Sequence, residues 1–478
     1  MWLPSAVVYQ VYPRSFQDSN GDGIGDLAGI EARLDHVEAL GVDAIWLSPF
    51  YRSPDADYGY DVADHTAVDP KYGTLDDFDA LLAAAHARGL KVLLDYVPCH
   101  TSIEHPWFAE RLDFYIRRDA QAPPNNWLAT FGGPAWDRDP VSGGFYLHTF
   151  YPEQPDLDWR SPAVIEAMQD VLRFWRDRGV DGFRLDAIQG LLKDPELRDD
   201  PPASDPFPFP LNATYAKLDH VHSVNAPDVA EAVRAIREGA GADAALVGEV
   251  YLPATERAPY LPDLDAAFAF DLVFAPRRAS AIRAAVEGSI AAGRPGWVLS
   301  NHDSSRIATR WGPEAARLAA MLILTLPGPA FLFQGDELGQ PDGPGHDPPY
   351  DRAGRDPHRH PPAWDDSPGA GFSTGEAWLD PVVPPDGPAS AQDGAPGSML
   401  NLYRELIALR RELQGPLRFL DGPAETLAYA RGDGHVVALN LGQTPWPDPP
   451  RGEVLLATHG ADGPLEPLAG RVLRAEVA

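Results

Sequence analysis

The sequence predicts an α/β protein built on a (β/α)8 barrel, with an inserted subdomain after the third strand and a C-terminal antiparallel β-domain. The main observation is a unit that recurs along the 478 residues: an amphipathic helix, a glycine and a short apolar strand. Such alternation is typical of parallel βαβ units, and eight strands are the number in a closed barrel. The alternative, an open doubly wound sheet that binds a dinucleotide, is disfavoured because no GxGxxG motif opens a helix.

The unit is clearest in TLDDFDALLAAAHARGLKVLLDYV, which begins at Thr74. Thr74 and Asp77 have the spacing of a capping box, and apolar residues then recur at helical intervals until Gly89 ends the helix. The apolar strand KVLLD follows. The same order of helix and strand recurs in five other segments: 26–49, 161–187, 227–250, 279–303 and 312–337. The segments VVYQVYP and AFAFDLV are two further strand candidates, which brings the total to eight.

The spacing of the units is uneven in three places. Residues 101–160 separate the third and fourth strands, which is too long for an ordinary connection and predicts an inserted subdomain. Residues 189–226 and 339–395 are predicted as long Pro-, Gly- and Asp-rich loops. The barrel therefore comprises residues 1–100 and 161–414, and its last helix is SMLNLYRELIALRREL. Short alternating segments after Gly415 predict a β-domain over 415–478.

Composition excludes several classes of partner. Asp and Glu number 70 against 39 Lys and Arg, which gives a net charge of −31 and argues against nucleic acid and anionic membranes. An equally good explanation of the negative charge is that it only keeps the protein soluble. Cys99 is the single cysteine, so no internal disulfide can form, which is typical of cytoplasmic proteins. The N-terminus has no signal-peptide pattern. No apolar run approaches the ~20 residues of a membrane span. The sequence predicts a cytoplasmic protein with a small-molecule partner and leaves the oligomeric state open.

Charged residues mark the predicted strand ends, where chemistry occurs in a barrel. In GFRLDA, Arg184 and Asp186 share one face of a strand, and unpaired buried charges cost several kcal/mol. Taken singly, the charged residues at these strand ends also have structural interpretations. Arg184 and Asp186 could form an ion pair, Glu249 could cap a helix, and His302 with Asp303 could form a turn. Their shared position at successive strand ends favours function over chance. The full set is Asp95, His100, Arg184, Asp186, Glu249, His302 and Asp303.

Several carboxylates in one pocket, without HExxH or a Ser-His-Asp signature, indicate glycoside chemistry. One carboxylate attacks the sugar carbon while a protonated one serves the leaving oxygen. Arg184 would favour an ionised Asp186, which suits the nucleophile. The apolar residues before Glu249 would raise its pKa, which suits the acid. Because such protons are shared by a coupled group, these are assignments of a microstate.

The motifs together resemble the α-amylase superfamily, glycoside hydrolase family 13, and in particular its α-glucosidase and oligo-1,6-glucosidase branch. The resemblance runs through VVYQVYPRSFQDSNGDGIGDLAGI, YGYDVADH, DYVPCHTS, EQPDLDW, GFRLDA, VGEVY, SNHDSSR and GRDPHRHPPAWDDSPGAGFSTG. It implies a retaining double displacement at an α-glucosidic bond. Asp186 would match the nucleophile, Glu249 the acid/base and Asp303 the stabiliser of the transition state.

The resemblance also implies a set of residues that bind the sugar. Tyr60 would stack on the non-reducing sugar, and Phe131 and Phe150 of the inserted subdomain would wall the pocket, favouring attack on chain ends. The sugar's hydroxyl groups would be held by Asp61, His100, Arg184, His302 and Arg359.

Ala187, next to the nucleophile, indicates linkage preference. A small residue there leaves room for an α-1,4-linked leaving sugar, and in the family Ala or Thr accompanies α-1,4 and Val α-1,6 preference. The sequence predicts hydrolysis of short α-1,4-linked substrates such as maltose. The alternatives are an oligo-1,6-glucosidase, or a glucosyltransferase or isomerase that acts on sucrose or maltose. A non-enzymatic transporter ancillary homologue is disfavoured by the missing membrane helix and the intact carboxylates.

The segment DSNGDGIGD could bind a cation. Oxygen donors alternate along it, at Asp18, Asn20, Asp22, the carbonyl of Ile24, and Asp26. It is not an EF-hand, because position twelve would be Gly29 instead of glutamate. The pattern alone favours an Asp/Gly turn without metal, whereas the family resemblance implies a structural Ca²⁺ or Mg²⁺ and no catalytic cofactor.

Three positions depart from the family. Cys99 stands where these enzymes have asparagine, Asp158 replaces the last residue of QPDLN, and RHPPAWD replaces RTPMQWD after Arg359. The catalytic set is intact, so the departures concern the geometry of neighbouring loops. For Cys99 we predict a packing role.

Overall fold

The computed structural model describes residues 2–204 and 212–475. Its strands in chain order are β1 (Val7–Val11), β2 (Ala44–Leu47), β3 (Tyr51–Arg52), β4 (Asp64–Val68), β5 (Lys91–Tyr96), β6 (Arg117–Arg118), β7 (Trp136–Arg138), β8 (Phe145–Leu147), β9 (Gly182–Leu185), β10 (Ala245–Gly248), β11 (Ala266–Phe268), β12 (Pro295–Val298), β13 (Ala330–Phe333), β14 (Leu417–Leu420), β15 (Thr426–Arg431), β16 (His435–Asn440), β17 (Glu453–Ala457) and β18 (Gly470–Arg474).

The α-helices alternate with the barrel strands as the sequence predicts. They are α1 (Leu27–Ala32), α2 (Leu34–Leu40), α3 (Leu75–Ala87), α4 (Pro106–Glu110), α5 (Pro162–Asp177), α6 (Val229–Ala240), α7 (Phe270–Val273), α8 (Ala279–Ala292), α9 (Ile307–Arg310), α10 (Pro313–Thr325), α11 (Ala389–Gln392) and α12 (Met399–Arg410). Among the described residues, no helix has the length and apolar character needed to cross a membrane.

Eight strands close into a barrel in the order β1, β13, β12, β11, β10, β9, β5, β2. The pairings whose registers are known, such as β9 with β10 and with β5, are parallel. Every residue of β9, β10 and β13 is buried, as expected for parallel strands that helices cover. All eight predicted strand segments contribute to the barrel, so the predicted fold class is confirmed.

Local signals placed most elements correctly and two imprecisely. The predicted capping box before α3 forms: Thr74 N and Oγ1 donate to Asp77 Oδ2, at 2.8 and 2.7 Å. The segment AFAFDLV, predicted as a strand, is a strand only to Phe268 and then turns into α7. The predicted first helix is divided at Arg33, where φ is −103° and ψ 4°. The periodicity of apolar residues does not reveal an interruption of the helix by a single residue.

The segment after β5 carries a small sheet of its own. Its three antiparallel strands lie in the order β6, β8, β7, over an apolar cluster that includes Trp127 and Trp136. Trp127 Nε1 donates to the carbonyl of Arg198 at 2.8 Å, so the insertion packs on the loop after β9. That loop was predicted over 189–226, and its residues 205–211 lie outside the described part of the chain.

The C-terminal sheet has five strands in the order β14, β15, β16, β18, β17, and its pairings are antiparallel. It confirms the predicted β-domain. Arg431 of β15 donates to the carbonyls of Thr325 at the end of α10 and Leu413 beyond α12. The sheet is therefore anchored to helix ends whose last carbonyls lack partners within the helix.

The chain divides into two compact units. One comprises Trp46–Leu82 and Val92–Phe268, and the other comprises Trp2–Ile45, Ala83–Lys91 and Ala269–Ala478. The first unit contains β5, β9 and β10 with the inserted sheet. The second contains β1, β12, β13 and the C-terminal sheet. The domain boundaries drawn from the sequence stay predictions.

Candidate active site

Three carboxyl groups of the first unit surround one guanidinium. Arg184 Nη1 donates to Asp95 Oδ1 at 2.7 Å and to Asp186 Oδ1 at 2.6 Å, and its Nη2 contacts Glu249 Oε1. Arg184 and Asp95 are fully buried, and Asp186 and Glu249 are nearly so. The charges in GFRLDA are thus a buried hub, which we call the Arg184 cluster (Asp95, Arg184, Asp186 and Glu249).

Strand register produces this convergence. Arg184 pairs with Asp95 on β5 and with Val247 on β10, so its side chain lies between the ends of both neighbours. Beyond the strand end Ala187 adopts a left-handed conformation, with φ 45° and ψ 40°. This turn lets Ala187 N donate to Glu249 Oε2 at 3.1 Å. The backbone after the predicted nucleophile therefore holds the predicted acid in place.

Burial and nearby charges shift the pKa of one carboxyl group of the cluster, that of Asp95. Burial raises the pKa of Asp95 to about 7; Arg184 opposes this shift and Asp186 reinforces it. The sequence predicted a raised pKa for Glu249 from its apolar neighbours alone. That prediction did not consider the contact between Arg184 Nη2 and Glu249 Oε1. The protonation of Glu249 stays a prediction.

Two predicted sugar-binding residues lie beside the cluster. Tyr60 donates its hydroxyl hydrogen to Asp95 Oδ2 at 3.0 Å, and its carbonyl lies 3.0 Å from His100 Nε2. His100 Nδ1 is buried and has no hydrogen-bond partner among the described residues. Since a buried polar atom without a partner is costly, this nitrogen is suited to bind a ligand hydroxyl.

The two phenylalanines of the predicted aromatic wall pack together in the first unit, and their role toward a sugar stays a prediction. Phe150 packs edge-on against His100, with ring centroids 5.2 Å apart, and Phe131 lies 5.7 Å from Phe150. Both phenylalanines are half-buried. They come from the inserted segment, as predicted.

Asp61 is buried and engaged with its own loop. Its carboxylate accepts hydrogen bonds from Ser53 Oγ at 2.8 Å, Ala56 N at 2.8 Å and Asp57 N at 2.9 Å. Burial raises its pKa to about 6, although these hydrogen bonds lower it. Asp61 therefore shapes the loop that carries Tyr60, and its predicted role toward a sugar hydroxyl stays a prediction.

The other predicted residues gather around Asp303 in the second unit. Asp303 Oδ2 lies 3.1 Å from His302 Nε2, and its Oδ1 lies 3.1 Å from Arg359 Nη2 and 2.9 Å from Arg355 Nη1. Burial alone would raise the pKa of Asp303, but His302, Arg355 and Arg359 together hold it well below its usual range. Asp303 is thus kept as a carboxylate, the form that stabilises positive charge.

Sequence reasoning missed Arg355 and gave Asp95 no role. Arg355 is held by a two-point contact to Asp351, at 2.7 and 2.8 Å, four residues away along the chain. The four-residue spacing of Asp351 and Arg355 was a visible signal. Asp95 stood at a predicted strand end, but its pairing with Arg184 spans 89 residues and is invisible in local patterns.

The acidic loop 18–26 is ordered by hydrogen bonds to its own backbone. Asp18 Oδ2 accepts from Gly23 N at 2.9 Å and Ser373 Oγ at 2.6 Å, and Asp26 Oδ1 caps α1 through Gly29 N at 2.6 Å. Burial alone would raise the pKa of Asp18, but these and other hydrogen bonds lower it. The described residues contain no group of three or more His, Cys, Asp or Glu side chains arranged to hold a metal.

The departures from the family pattern have local structural roles. Asp158 Oδ1 accepts from Arg160 N at 3.0 Å in the turn before α5. His360 lies with Nδ1 2.6 Å from the carbonyl of Asp380 and Nε2 2.9 Å from that of Pro344. Cys99 is buried, and its thiol donates to the carbonyl of Ala187 at 3.2 Å.

We expect Cys99→Ser to keep most of the catalytic activity. Burial raises the pKa of the Cys99 thiol far above its ordinary value, so the reactive thiolate is absent at neutral pH. A serine hydroxyl can make the same hydrogen bond to Ala187. The test is kcat/KM on a glucoside, with thermal unfolding as a control for folding. A loss as large as that of Asp186→Asn would show that Cys99 takes part in the chemistry.

Comparison with known proteins gives concordant matches. The family model for the catalytic domain of alpha amylase matches residues 10–415. A probable alpha-glucosidase of Rhizobium meliloti (strain 1021) is 39% identical over 91% of this chain and 88% of its own length. The crystal structure of the alpha-glucosyl transfer enzyme XgtA is 37% identical, with a TM-score of 0.91 over 99% of both chains. The trehalulose synthase MutB from Pseudomonas mesoacidophila MX-45 is 32% identical, with a TM-score of 0.87 over 99% of both chains.

Proposed function

Because the chain belongs to the α-amylase family of glycoside hydrolases, in its α-glucosidase and oligo-1,6-glucosidase branch, we propose that it is a retaining α-glucosidase. Its substrates would be short α-1,4-linked gluco-oligosaccharides such as maltose, attacked from the chain end. The observation that carries the proposal is the Arg184 cluster. It holds two carboxyl groups, Asp186 and Glu249, on one buried cation.

In the proposed reaction Asp186 attacks the anomeric carbon while Glu249 gives its proton to the leaving oxygen. Water activated by Glu249 then hydrolyses the glucosyl–enzyme, so two inversions retain the anomeric configuration. Asp303, kept ionised by His302 and two arginines, would stabilise the oxocarbenium-like transition state. Arg184 Nη1 donates to Asp186 Oδ1, and Ala187 N donates to Glu249 Oε2, so both carboxyl groups are held in position.

Product analysis tests this function directly. The enzyme is incubated with maltose, isomaltose, sucrose and trehalose, and NMR follows the linkage and anomeric form of each product as it appears. We expect α-glucose as the first product from maltose, at a higher rate than from isomaltose. β-Glucose as the first product would exclude the retaining mechanism.

Glucosyl transfer or sugar isomerisation is the second candidate. The similarity to structures described as an alpha-glucosyl transfer enzyme and a trehalulose synthase favours it. The same glucosyl–enzyme serves both outcomes, since a sugar hydroxyl can replace water as the nucleophile. New disaccharide linkages in the NMR experiment, growing with sugar concentration, would establish transfer.

The loop 18–26 is proposed to bind a structural Ca²⁺ or Mg²⁺. Its donor set is oxygen only, from Asp18, Asn20, Asp22, the Ile24 carbonyl and Asp26, which suits a hard cation. Asn20 and Asp22 are exposed, so their side chains can reach an ion from solvent. The ion would stabilise the loop and would take no part in the reaction.

We expect a chelator to lower the melting temperature of the wild type. An ion bound only to the native state adds RT ln(1 + [L]/Kd) to the free energy of unfolding. The Asp22→Ala variant should melt lower than the wild type in Ca²⁺ and should respond less to chelator. Melting curves unchanged by chelator in both proteins would remove the proposed metal site.

A further inference from the structure

Asp95, a carboxyl group of the Arg184 cluster, has no task in the proposed reaction. It lies at the end of β5 and is completely buried. Its Oδ1 accepts from Arg184 Nη1 at 2.7 Å, while its Oδ2 accepts from the Tyr60 hydroxyl at 3.0 Å and Trp46 Nε1 at 3.2 Å. Asp95 therefore joins the central cation to a residue predicted to touch the sugar.

The charges of the cluster do not balance if every carboxyl group is ionised. In the resting enzyme of the proposed mechanism, Asp186 is ionised and Glu249 is protonated. Together they carry one negative charge, which Arg184 balances. An ionised Asp95 would add a second negative charge in a buried cluster, and an uncompensated buried charge costs several kcal/mol.

The same count holds after the first chemical step. An Asp186 oxygen bonds to the anomeric carbon, the glycosidic C–O bond breaks, and its electron pair takes the proton from Glu249. Asp186 is then a neutral ester and Glu249 a carboxylate. One negative charge again faces Arg184, so a neutral Asp95 keeps the cluster balanced before and after the step.

We propose that Asp95 is a positioning residue that holds a proton in the active enzyme and so leaves Arg184 to whichever of Asp186 and Glu249 is ionised. This inference rests on the proposed function, which assigns the charges of Asp186 and Glu249. A neutral Asp95 still accepts from Arg184 through Oδ1 and donates from Oδ2 to the Tyr60 oxygen. Tyr60 can then direct its own hydrogen toward a ligand.

The other groups that face Asp95 within the first unit do not change the charge balance of the Arg184 cluster. The Tyr51 hydroxyl donates to the Asp95 carbonyl at 2.6 Å, and burial raises the pKa of Tyr51 well above its ordinary value, so it stays neutral. Trp46 Nε1–H and the Tyr60 hydroxyl are neutral groups and add no charge. Arg184, Asp186 and Glu249 supply the charges, and burial raises the pKa of Asp95 despite Arg184.

The pH dependence of stability in Asp95→Asn tests the stored proton without relying on activity. The native protein keeps the Asp95 proton, whereas the unfolded chain releases it above a pKa of about 3.9. This group therefore stabilises the wild type fully below that value, and the contribution is lost as pH rises through about 7. Asparagine removes the titration, so the melting temperature of Asp95→Asn relative to wild type should rise between pH 4.5 and pH 8.

The matched control is Asp113→Asn, the same chemical change at a carboxylate whose side chain is 63% exposed. Its melting temperature relative to wild type should stay constant over that range. If the relative melting temperature of Asp95→Asn is constant or falls with pH, Asp95 does not store a proton and the proposal is wrong. An enzyme without activity on glucosides would overturn the proposed function and leave this stability test readable.

Kinetics separate a stored proton from a required carboxylate. Asparagine resembles the neutral acid, so kcat/KM of Asp95→Asn near pH 5.5 should stay within about tenfold of wild type, the loss expected for one weakened hydrogen bond. The alkaline limb of its pH profile should also change, because one ionisation is gone. A loss matching that of Asp186→Asn at every pH would overturn the proposal.

A variant that fails to fold still leaves a decisive measurement. Near pH 5.5 the wild type should show infrared absorption of buried protonated carboxyl groups, to which Asp61 and Glu249 also contribute, and the Asp95 band is the one that disappears at alkaline pH and responds to a change at Tyr60. Tyr60→Phe removes a hydrogen-bond partner of Asp95 and should shift that band. A band absent from the wild type, or unmoved in Tyr60→Phe, would contradict the assignment to Asp95.

Discussion

Asp186→Asn should lose nearly all activity on every glucoside, by ~10⁴-fold or more in kcat, the scale seen when a nucleophile is removed. The amide cannot form the covalent glucosyl–enzyme, and no neighbouring group replaces it. The variant also removes one negative charge from the Arg184 cluster, but Asp95 or Glu249 can ionise in its place and balance Arg184, so the fold should persist. The measurement is kcat with maltose and with an activated aryl glucoside, alongside thermal unfolding.

Substitution of Glu249 should have a different effect, which depends on the leaving group of the substrate and so distinguishes the acid from the nucleophile. Glu249→Gln should be slow on maltose and much less impaired on aryl glucosides with good leaving groups, because those leave without a proton. Azide should partly rescue Glu249→Ala and give a product of retained anomeric configuration. Equal losses in Asp186→Asn and Glu249→Gln on both substrate classes would contradict the assigned roles.

The sequence predicted the barrel well because its strands and helices have local sequence patterns. Each barrel strand is a short apolar segment, and most are preceded by a glycine that ends a helix. The exceptions are equally physical. The segment AFAFDLV is apolar except for Asp271, and composition alone cannot tell its two strand residues from the helix α7 that follows.

The candidate site was harder to predict because its chemistry depends on contacts distant in sequence. Arg184 and Asp186 share a strand face, so their pairing was visible. The links to Asp95 and Glu249 cross between strands and arise from barrel register. The raised pKa therefore falls on Asp95, a group that sequence reasoning had placed at a strand end without a role.

Ala187 shows how the structure sharpens a prediction made from sequence. Its small side chain suggested room for an α-1,4-linked leaving sugar. The structure adds that Ala187 is buried and left-handed, with φ 45°, and that its backbone N–H holds Glu249. A β-branched residue is strained at positive φ, so substitution here also disturbs the proposed acid.

We expect wild-type enzyme to prefer maltose over isomaltose, and Ala187→Val to shift the ratio of kcat/KM toward isomaltose by roughly 10- to 200-fold. That range corresponds to the ~1–3 kcal/mol that a methylene-sized change in a pocket is worth. Valine crowds the ring of an α-1,4-linked leaving sugar, whereas an α-1,6 linkage keeps its ring away on a flexible CH₂. Strain and any displacement of Glu249 lower activity on both substrates and largely cancel in the ratio. Ala187→Ser serves as the control, since it adds one atom without branching and should move the ratio less. A wild type that prefers isomaltose, or a ratio unmoved by valine, would show that Ala187 does not set the linkage.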